Sequence, residues 1–242
     1  MNTNKNRTMA YFDVFEACSE TGCPLCRLNQ RASERYVDSV LYEMVNDPIV
    51  RAEFAAARGY CNRHAWLMPE GHGRSLGIAL MQRTALLAVL QVMDGIDYQV
   101  PGHLLRRIFS GNANAASSLA THDLVAALEP QTGCPACQHE ADMERIALAA
   151  LLDHLNDADM TRAFEKSSGL CLPHFRRALA LIQDEKVFIR LIEIQRSHLE
   201  RLRDELSEFI RKNDYRYIAE GFGMEGDSWL RAIGIVSGEK AA

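Results

Sequence analysis

The sequence lacks several features that mark whole classes of protein. No stretch reaches the roughly 20 consecutive apolar residues needed to span a bilayer, and the best candidate, Thr84–Met93, is too short. The N-terminal region before Asp13 carries no apolar segment of the kind that directs secretion. Basic residues form only short, scattered clusters in a chain of net charge −5, whereas nucleic-acid-binding proteins normally present a basic face. We therefore expect a cytoplasmic protein with neither a membrane nor a nucleic-acid partner.

Motifs of the common enzyme classes are also missing. The chain contains no nucleophile elbow, phosphate-binding loop, dinucleotide fingerprint or HExxH helix, so enzymatic activity is not indicated. Alternating patterns typical of strands are nearly absent, whereas apolar residues recur at steps of three and four. The 242 residues, of which 48% are hydrophobic, suffice for one large or two small domains. These features predict an all-α protein.

Six of the seven cysteines lie in a motif that occurs twice. Thr21–Cys26 reads TGCPLC, and Thr132–Cys137, which lies 111 positions later, reads TGCPAC. Further along, the shift is 110, and the segment Gly59–His64 matches Gly169–His174 as G-x-C-x-x-H. Matched pairs at fixed spacing indicate a duplicated unit whose thiols bind metal or are otherwise functional.

The spacing within each pair suits metal ligation. Residues three apart at a helix start lie on one face, so one ion can reach both side chains. Thiolates at helix N-termini are also stabilised by the exposed N–H groups and the helix dipole. Because each copy carries two such pairs, we expect two Cys3His metal sites, each formed within one copy. The expected ligands are Cys23, Cys26, Cys61 and His64 for the first site, and Cys134, Cys137, Cys171 and His174 for the second.

The ligand types favour Zn²⁺ and leave two alternatives open. Three thiolates and an imidazole suit a closed tetrahedral zinc site, which would make the protein a zinc-stabilised scaffold or interaction module with an unknown protein partner. The same ligands can hold iron-sulfur clusters, in which case the protein would serve electron transfer or sensing. A thiol-disulfide oxidoreductase is a weaker alternative, because a C-P-x-C dithiol of that kind is expected in a βαβ context.

Helical periodicity and turn residues divide the chain. We expect a first helical unit at 1–110, a linker at 111–122 rich in small polar residues, a second helical unit at 123–212 and a tail at 213–242 that packs on the bundle. Pro48 predicts a helix start, and Gly59 and Gly169 predict helix ends. The predicted fold is a duplicated helical bundle with pseudo-twofold internal symmetry. Apolar positions define the helices of the two units at Val37, Val40, Leu41, Met44 and Val45, and at Ile146, Ala149, Ala150, Leu152 and Leu155.

Several segments together resemble an uncharacterised prokaryotic family of unknown function with tandem C-P-x-C and G-x-C-x-x-H motifs. The resemblance covers nearly the whole chain and implies that the tandem motifs belong to one architecture, but it implies no activity, substrate or partner. It rests on both C-P-x-C motifs and on the segments Tyr11–Ala17, Arg58–Trp66, Gly169–Phe175 and Phe209–Arg216.

Two features have no counterpart in the repeat. Cys18 is predicted to be a partly buried free thiol. The segment Asp214–Arg231 concentrates charges and aromatic residues between glycines, which is typical either of a binding loop or of ion pairs that anchor the tail. We favour anchoring.

Overall fold

The computed structural model describes residues 7–94 and 121–240. Within these ranges the chain forms α-helices and short 3-10 turns and no strand, which confirms the all-α prediction. The helices of the first range are α1 Met9–Ala17, α2 Pro24–Tyr42, α3 Pro48–Ala56, α4 Asn62–Leu67 and α5 Ser75–Met93. Those of the second are α6 Thr121–Leu128, α7 Pro135–His154, α8 Ala158–Lys166, α9 Leu172–Leu181, α10 Glu185–Lys212 and α11 Ser228–Ser237. The predicted linker at 111–122 lies outside the described residues except for its last two positions, where α6 begins.

Proline and glycine set the helix boundaries where the sequence predicted them. Pro48 occupies the first turn of α3, and the Asp47 side chain accepts hydrogen bonds from two N–H groups of that turn. Gly59 and Gly169 follow α3 and α8 with φ angles of +93° and +76°, which L-residues with a side chain rarely adopt. The turns at these two glycines lead directly into Cys61 and Cys171.

The described residues form two compact units that do not follow the two sequence copies. Unit 1 contains the described parts of Met1–Ala32 and Glu140–Ala242, and unit 2 lies within Ser33–His139. The division therefore falls inside α2 and inside α7, the two helices that follow the C-P-x-C motifs. Each unit combines segments from both sequence copies, whereas we expected the units to be consecutive along the chain.

Unit 1 has a core of aliphatic and aromatic side chains from α1, α7, α8 and α10. Phe164 of α8 is fully buried, and its ring meets the His198 ring of α10 edge to face. The tail contributes α11, which contacts α9 and α10. Ion pairs of Lys212 with Glu225 and of Arg231 with Glu205 also join the tail to α10, in agreement with the anchoring interpretation. Further buried members of this core are Tyr11, Val14, Leu25, Leu148, Leu151, Leu155, Met160, Leu170 and Leu191.

Unit 2 has its own core, built mainly by α2, α3 and α5. Phe54 of α3, the repeat counterpart of Phe164, is buried and meets Tyr60 edge to face. Helix α5 approaches the end of α2 so closely that a Cβ atom at Gly77 would lie 2.7 Å from the Leu41 carbonyl oxygen. Glycine is therefore required at this crossing. The other buried members of the unit 2 core are Val37, Val40, Leu41, Leu67, Met68, Met81, Ala85 and Ala136.

Some apolar positions are exposed. Three of the five apolar positions predicted for the second unit are buried, namely Ala150, Leu152 and Leu155, whereas Ile146 and Ala149 face solvent. Ala147, Leu148 and Leu151 are buried in addition. Helix α5 buries Gly77, Met81 and Ala85 and exposes a second apolar face, which contains Leu76, Leu86, Leu87, Leu90 and Met93. By length and composition alone, α5 is apolar enough to cross a membrane, with 17% of the tested window buried. It begins at Ser75, well before the short apolar run Thr84–Met93 considered above.

Truncation of the matched phenylalanines should destabilise both units. Because Phe54 and Phe164 are fully buried, Phe54→Ala and Phe164→Ala should each lower the free energy of unfolding by about 3–5 kcal/mol. Phe12→Ala, at a side chain that is 52% exposed, should cost about 1 kcal/mol or less and serves as the control. Urea unfolding monitored by circular dichroism measures all three values. Equal effects of the buried and exposed changes would contradict the assigned cores.

Candidate metal centres

The structure brings all eight predicted ligand side chains into two groups, but not in the predicted combination. The Cys23 site contains Cys23, Cys26, Cys171 and His174, and the Cys61 site contains Cys61, His64, Cys134 and Cys137. Each site thus joins the C-P-x-C pair of one copy to the C-x-x-H pair of the other, so the expectation that each site forms within one copy is wrong. The spacing is the same in both copies and does not specify the partner; the tertiary fold decides it. Both sites can hold a metal ion, because the four candidate ligand atoms of each lie within 4.8 Å of one another.

The Cys23 site lies entirely within unit 1. The Nδ1 atom of His174 is 3.0 Å from Cys171 Sγ, 3.4 Å from Cys26 Sγ and 3.5 Å from Cys23 Sγ. The sulfurs of Cys26 and Cys171 are 3.7 Å apart. Cys23, Cys171 and His174 are buried, and Cys26 is partly exposed.

The Cys61 site lies entirely within unit 2 and has similar geometry. The Nδ1 atom of His64 is 3.3 Å from Cys61 Sγ, 3.3 Å from Cys137 Sγ and 3.7 Å from Cys134 Sγ. The sulfurs of Cys61 and Cys137 are 3.6 Å apart. Only His64 is fully buried here, and all three cysteines are partly exposed.

These distances fit a tetrahedral site. With Zn–S near 2.3 Å and Zn–N near 2.0–2.1 Å, tetrahedral angles place two sulfurs about 3.8 Å apart and a sulfur about 3.5 Å from the nitrogen. The measured sulfur separations of 3.6 and 3.7 Å agree with the first value. The sulfur–nitrogen distances, which run from 3.0 to 3.7 Å, bracket the second. The donor sets therefore fit a single ion with four protein ligands at each site.

Every ligand is at the start of a helix. Cys61 and Cys171 are the N-cap residues of α4 and α9. The Cys23 and Cys134 carbonyl oxygens accept hydrogen bonds from the N–H groups four residues later, so these cysteines hold the equivalent position before α2 and α7. The second ligand of each pair is three residues further on, on the same helix face. Each site is thus surrounded by two helix N-termini, whose partial positive charge stabilises thiolate anions.

Sequence reasoning missed the contacts on the far side of each histidine. The His174 Nε2 atom is 3.3 Å from Asn29 Nδ2 and 3.6 Å from the Glu144 carboxylate. Glu144 also pairs with Arg177. In the Cys61 site, the Ser33 hydroxyl lies 3.1 Å from His64 Nε2. Ser33 and Glu144 are separated by the 111-residue shift of the repeat, which is the signal that a search for equivalent positions would have found.

In the Cys23 site, burial and hydrogen bonds shift the pKa values of the ligand groups in opposite directions. Hydrogen bonds from Cys171 and Cys23 lower the pKa of Cys26, whereas burial raises that of Cys23 well above its usual range. Burial by itself lowers the pKa of His174, but hydrogen bonds with Cys171 and Cys26 outweigh it and raise the pKa to about 11. Without metal, the imidazole is therefore protonated at neutral pH. A metal ion must displace that proton, so binding should weaken as pH falls.

In the Cys61 site, the thiols of the C-P-x-C pair also differ. Burial raises the pKa of Cys134, but hydrogen bonds from His64 and from the backbone of Cys61, Cys137 and Ala136 together outweigh that effect, and the pKa falls to about 6. Burial raises the pKa of Cys137 to about 12. One thiol of the pair is therefore already a thiolate at neutral pH, which favours the first metal–ligand bond.

The remaining cysteine and the nearby histidines do not join either group. Cys18 is a free thiol, as predicted, and lies fully buried in the core of unit 1. Burial raises the pKa of this thiol to about 12. His139 stacks on Tyr36. His154 is buried and bonded to Asp157.

A comparison of double variants tests how the ligands are grouped. Cys26→Ser combined with Cys171→Ser should disable only the Cys23 site and leave about one tightly bound metal per chain. Cys26→Ser combined with Cys61→Ser should damage both sites and leave none. Metal analysis after equilibration with a competing chelator measures both results. Grouping within each sequence copy would give the reverse pattern.

Comparison with known proteins places the chain in a family. It is 23% identical over 227 residues, 93% of this chain and 99% of the relative, to an uncharacterized 23.9 kDa protein in the xynA 3' region of Caldicellulosiruptor sp. (strain Rt8B.4). No solved structure matches. The family model of a family of unknown function, DUF6062, matches residues 3–242. The chain therefore belongs to the DUF6062 family.

Proposed function

We propose that this protein is a helical scaffold or interaction protein whose two units are each stabilised by one structural Zn²⁺ ion. The observation that supports this proposal best is the convergence, within each unit, of three sulfurs and one imidazole nitrogen that lie within 4.8 Å of one another. All four coordination positions are then filled by the protein. A closed site of this kind leaves no position for water or substrate, so we propose no catalytic step for either ion.

The energy of metal binding supports a structural role. Apparent binding free energies of structural Zn²⁺ are about 10–16 kcal/mol at neutral pH, which is comparable to the net stability of a whole domain, about 5–15 kcal/mol. In the Cys23 site, the ion would connect the start of α2 to the start of α9, 145 residues later. In the Cys61 site, it would connect α4 to α7 across 76 residues. Each ion would thus stabilise contacts that short-range helix formation does not provide.

We propose a protein partner in the cytoplasm and neither a nucleic-acid nor a membrane partner. The net charge of −5 disfavours binding to phosphate backbones. The second apolar face of α5 offers a surface of the type that protein partners cover. A membrane would cover the same apolar side chains. However, polar residues interrupt the apolar sequence of this helix and would be costly in a bilayer core, namely Gln82, Arg83 and Gln91.

Iron is the second candidate metal, because three thiolates per site are also ligands that iron accepts. The 3.6–3.7 Å sulfur separations suit a single ion better than a cluster, whose bridging sulfides would separate the protein ligands further. A dithiol oxidoreductase is disfavoured, since each C-P-x-C pair faces a third thiol and an imidazole instead of an open surface.

Metal removal should unfold the protein. A strong chelator should lower the helical circular-dichroism signal, and Cys26→Ser or Cys137→Ser should each reduce the free energy of unfolding by several kcal/mol. Cys18→Ala is the matched control, because it removes a buried thiol that is not in either site and should retain both metals. Full helicity and unchanged stability after complete metal removal would overturn the structural role.

Metal analysis under anaerobic conditions distinguishes zinc from iron. Protein kept from oxygen throughout should contain about two Zn²⁺ per chain, no acid-labile sulfide and no colour. Iron with matching sulfide, a brown colour and bleaching by reductant would replace the scaffold with a redox protein. Single iron ions without sulfide would preserve the geometry but reject zinc.

A further inference from the structure

The two sites are unequal in burial although their ligands and spacing match. In the Cys23 site, Cys23 and Cys171 have no exposed surface, and His174 is 5% exposed. In the Cys61 site, all three cysteines are partly exposed. Cys26 of the Cys23 site is also partly exposed. A competing ligand can therefore approach all three sulfurs of the Cys61 site, but only one sulfur of the Cys23 site, without prior opening of the fold.

Glu239, which follows α11, lies against both cysteines of the C-P-x-C pair in the Cys23 site, and we call these contacts the Glu239 cover. The backbone N–H of Glu239 donates to Cys26 Sγ at 3.4 Å, and the Glu239 carboxylate accepts from the Cys23 N–H at 3.2 Å. Hydrogen bonds to a metal-bound sulfur stabilise the thiolate and restrict its movement. Two contacts from one residue thus connect the end of the chain to the C-P-x-C pair of unit 1.

Two glycines leave the space that the Glu239 side chain occupies. A Cβ atom at Gly22 would lie 2.4 Å from a Glu239 carboxylate oxygen, and one at Gly234 of α11 would lie 2.9 Å from the same atom. Both distances are too short for real side chains. Gly133 occupies the position of Gly22 in the second motif, and none of the residues that the structure describes lies within 4 Å of its Cβ position. Equivalent motif positions are therefore closed at the Cys23 site and open at the Cys61 site.

A further buried group supports the histidine of the Cys23 site. The buried carboxylate of Glu144 lies beside the Nε2 atom of His174 and is itself held by Arg177. A carboxylate on the second nitrogen orients the ring and strengthens it as a metal ligand. Loss of such partners typically costs about 10–100-fold in metal affinity.

From these differences we propose that the Cys61 site is an exchangeable metal site that transfers its ion to competing thiol or chelating ligands, while the Cys23 site releases its ion much more slowly. The proposal rests on the proposed function, because it requires that both sites bind metal. It deepens that function by giving the two ions different roles: one fixes unit 1, and the other is available for transfer.

Chelator competition on the intact protein tests the proposal. Protein loaded with zinc is mixed with excess 4-(2-pyridylazo)resorcinol, and zinc release is followed by absorbance. We expect two phases of about one zinc each, with the fast phase at least ~10-fold faster, in line with the effect of groups around the ligands, here Glu239, on metal affinity. Thiol alkylation at the end of the fast phase, mapped by mass spectrometry, should modify Cys61, Cys134 and Cys137 and spare the other ligand cysteines.

Variants of the cover provide an independent test. Glu239→Ala should accelerate the slow phase several-fold and leave the fast phase unchanged, whereas Glu239→Gln, which retains an acceptor for the Cys23 N–H, should restore most of the protection. Gly234→Ala should also accelerate the slow phase, because it displaces the Glu239 side chain. Gly133→Ala, at the open position, is the matched control and should change neither phase.

The outcomes separate the two proposals. Two bound zinc ions that leave at equal rates, or alkylation of Cys23 and Cys171 first, would overturn the unequal exchange while the zinc scaffold stands. A Glu239→Ala variant with an unchanged slow phase would overturn the role of the cover. A wild-type chain that binds no zinc would overturn the proposed function itself.

Discussion

The convergence of three thiols and one imidazole at four protein ligand positions is the constraint on which each unit depends. Cys26 and Cys171 are 145 residues apart in sequence, and closing a loop of that length costs about 4 kcal/mol of chain entropy. We propose that a structural Zn²⁺ ion, which contributes about 10 kcal/mol or more, offsets this cost and the unfavourable burial of polar thiols. Without an ion, the pKa of Cys26 is lowered and that of His174 is raised, so the site carries opposite charges in a buried setting. The apolar cores and the ligand clusters therefore depend on each other.

Helix N-termini carry the ligands for a physical reason that applies to both sites. A thiolate at an N-cap position accepts stabilisation from the partial positive charge of the helix end, and a second ligand three residues later shares its face. Proline at the first helical position fixes the backbone without losing a hydrogen bond, and the glycines at positions 59 and 169 reverse the chain before the C-x-x-H pair. The cores behind these helix starts, around Phe54 and Phe164, then hold the ends in place.

Duplication of the motifs preserved the ligands but not their surroundings. Ser33 and Glu144 occupy equivalent sequence positions beside the two histidines, yet one is a neutral hydroxyl and the other a buried carboxylate paired with Arg177. Glu239 forms hydrogen bonds with Cys23 and Cys26 of the Cys23 site. We infer that nearly identical ligand arrangements combine with different access and different rates of metal exchange, because exchange depends on the groups that surround the ligands.

The sequence by itself determined the all-α class, the helix boundaries at Pro48, Gly59 and Gly169, and the eight side chains that meet in two groups. It did so because turn chemistry and three-residue ligand spacing are local properties. Only the tertiary structure decided which pairs combine, since both copies have the same spacing and either C-x-x-H pair can complete either C-P-x-C pair. The contacts of Asn29, Glu144 and Glu239 with the Cys23 site likewise follow from packing between distant segments, which no local pattern records.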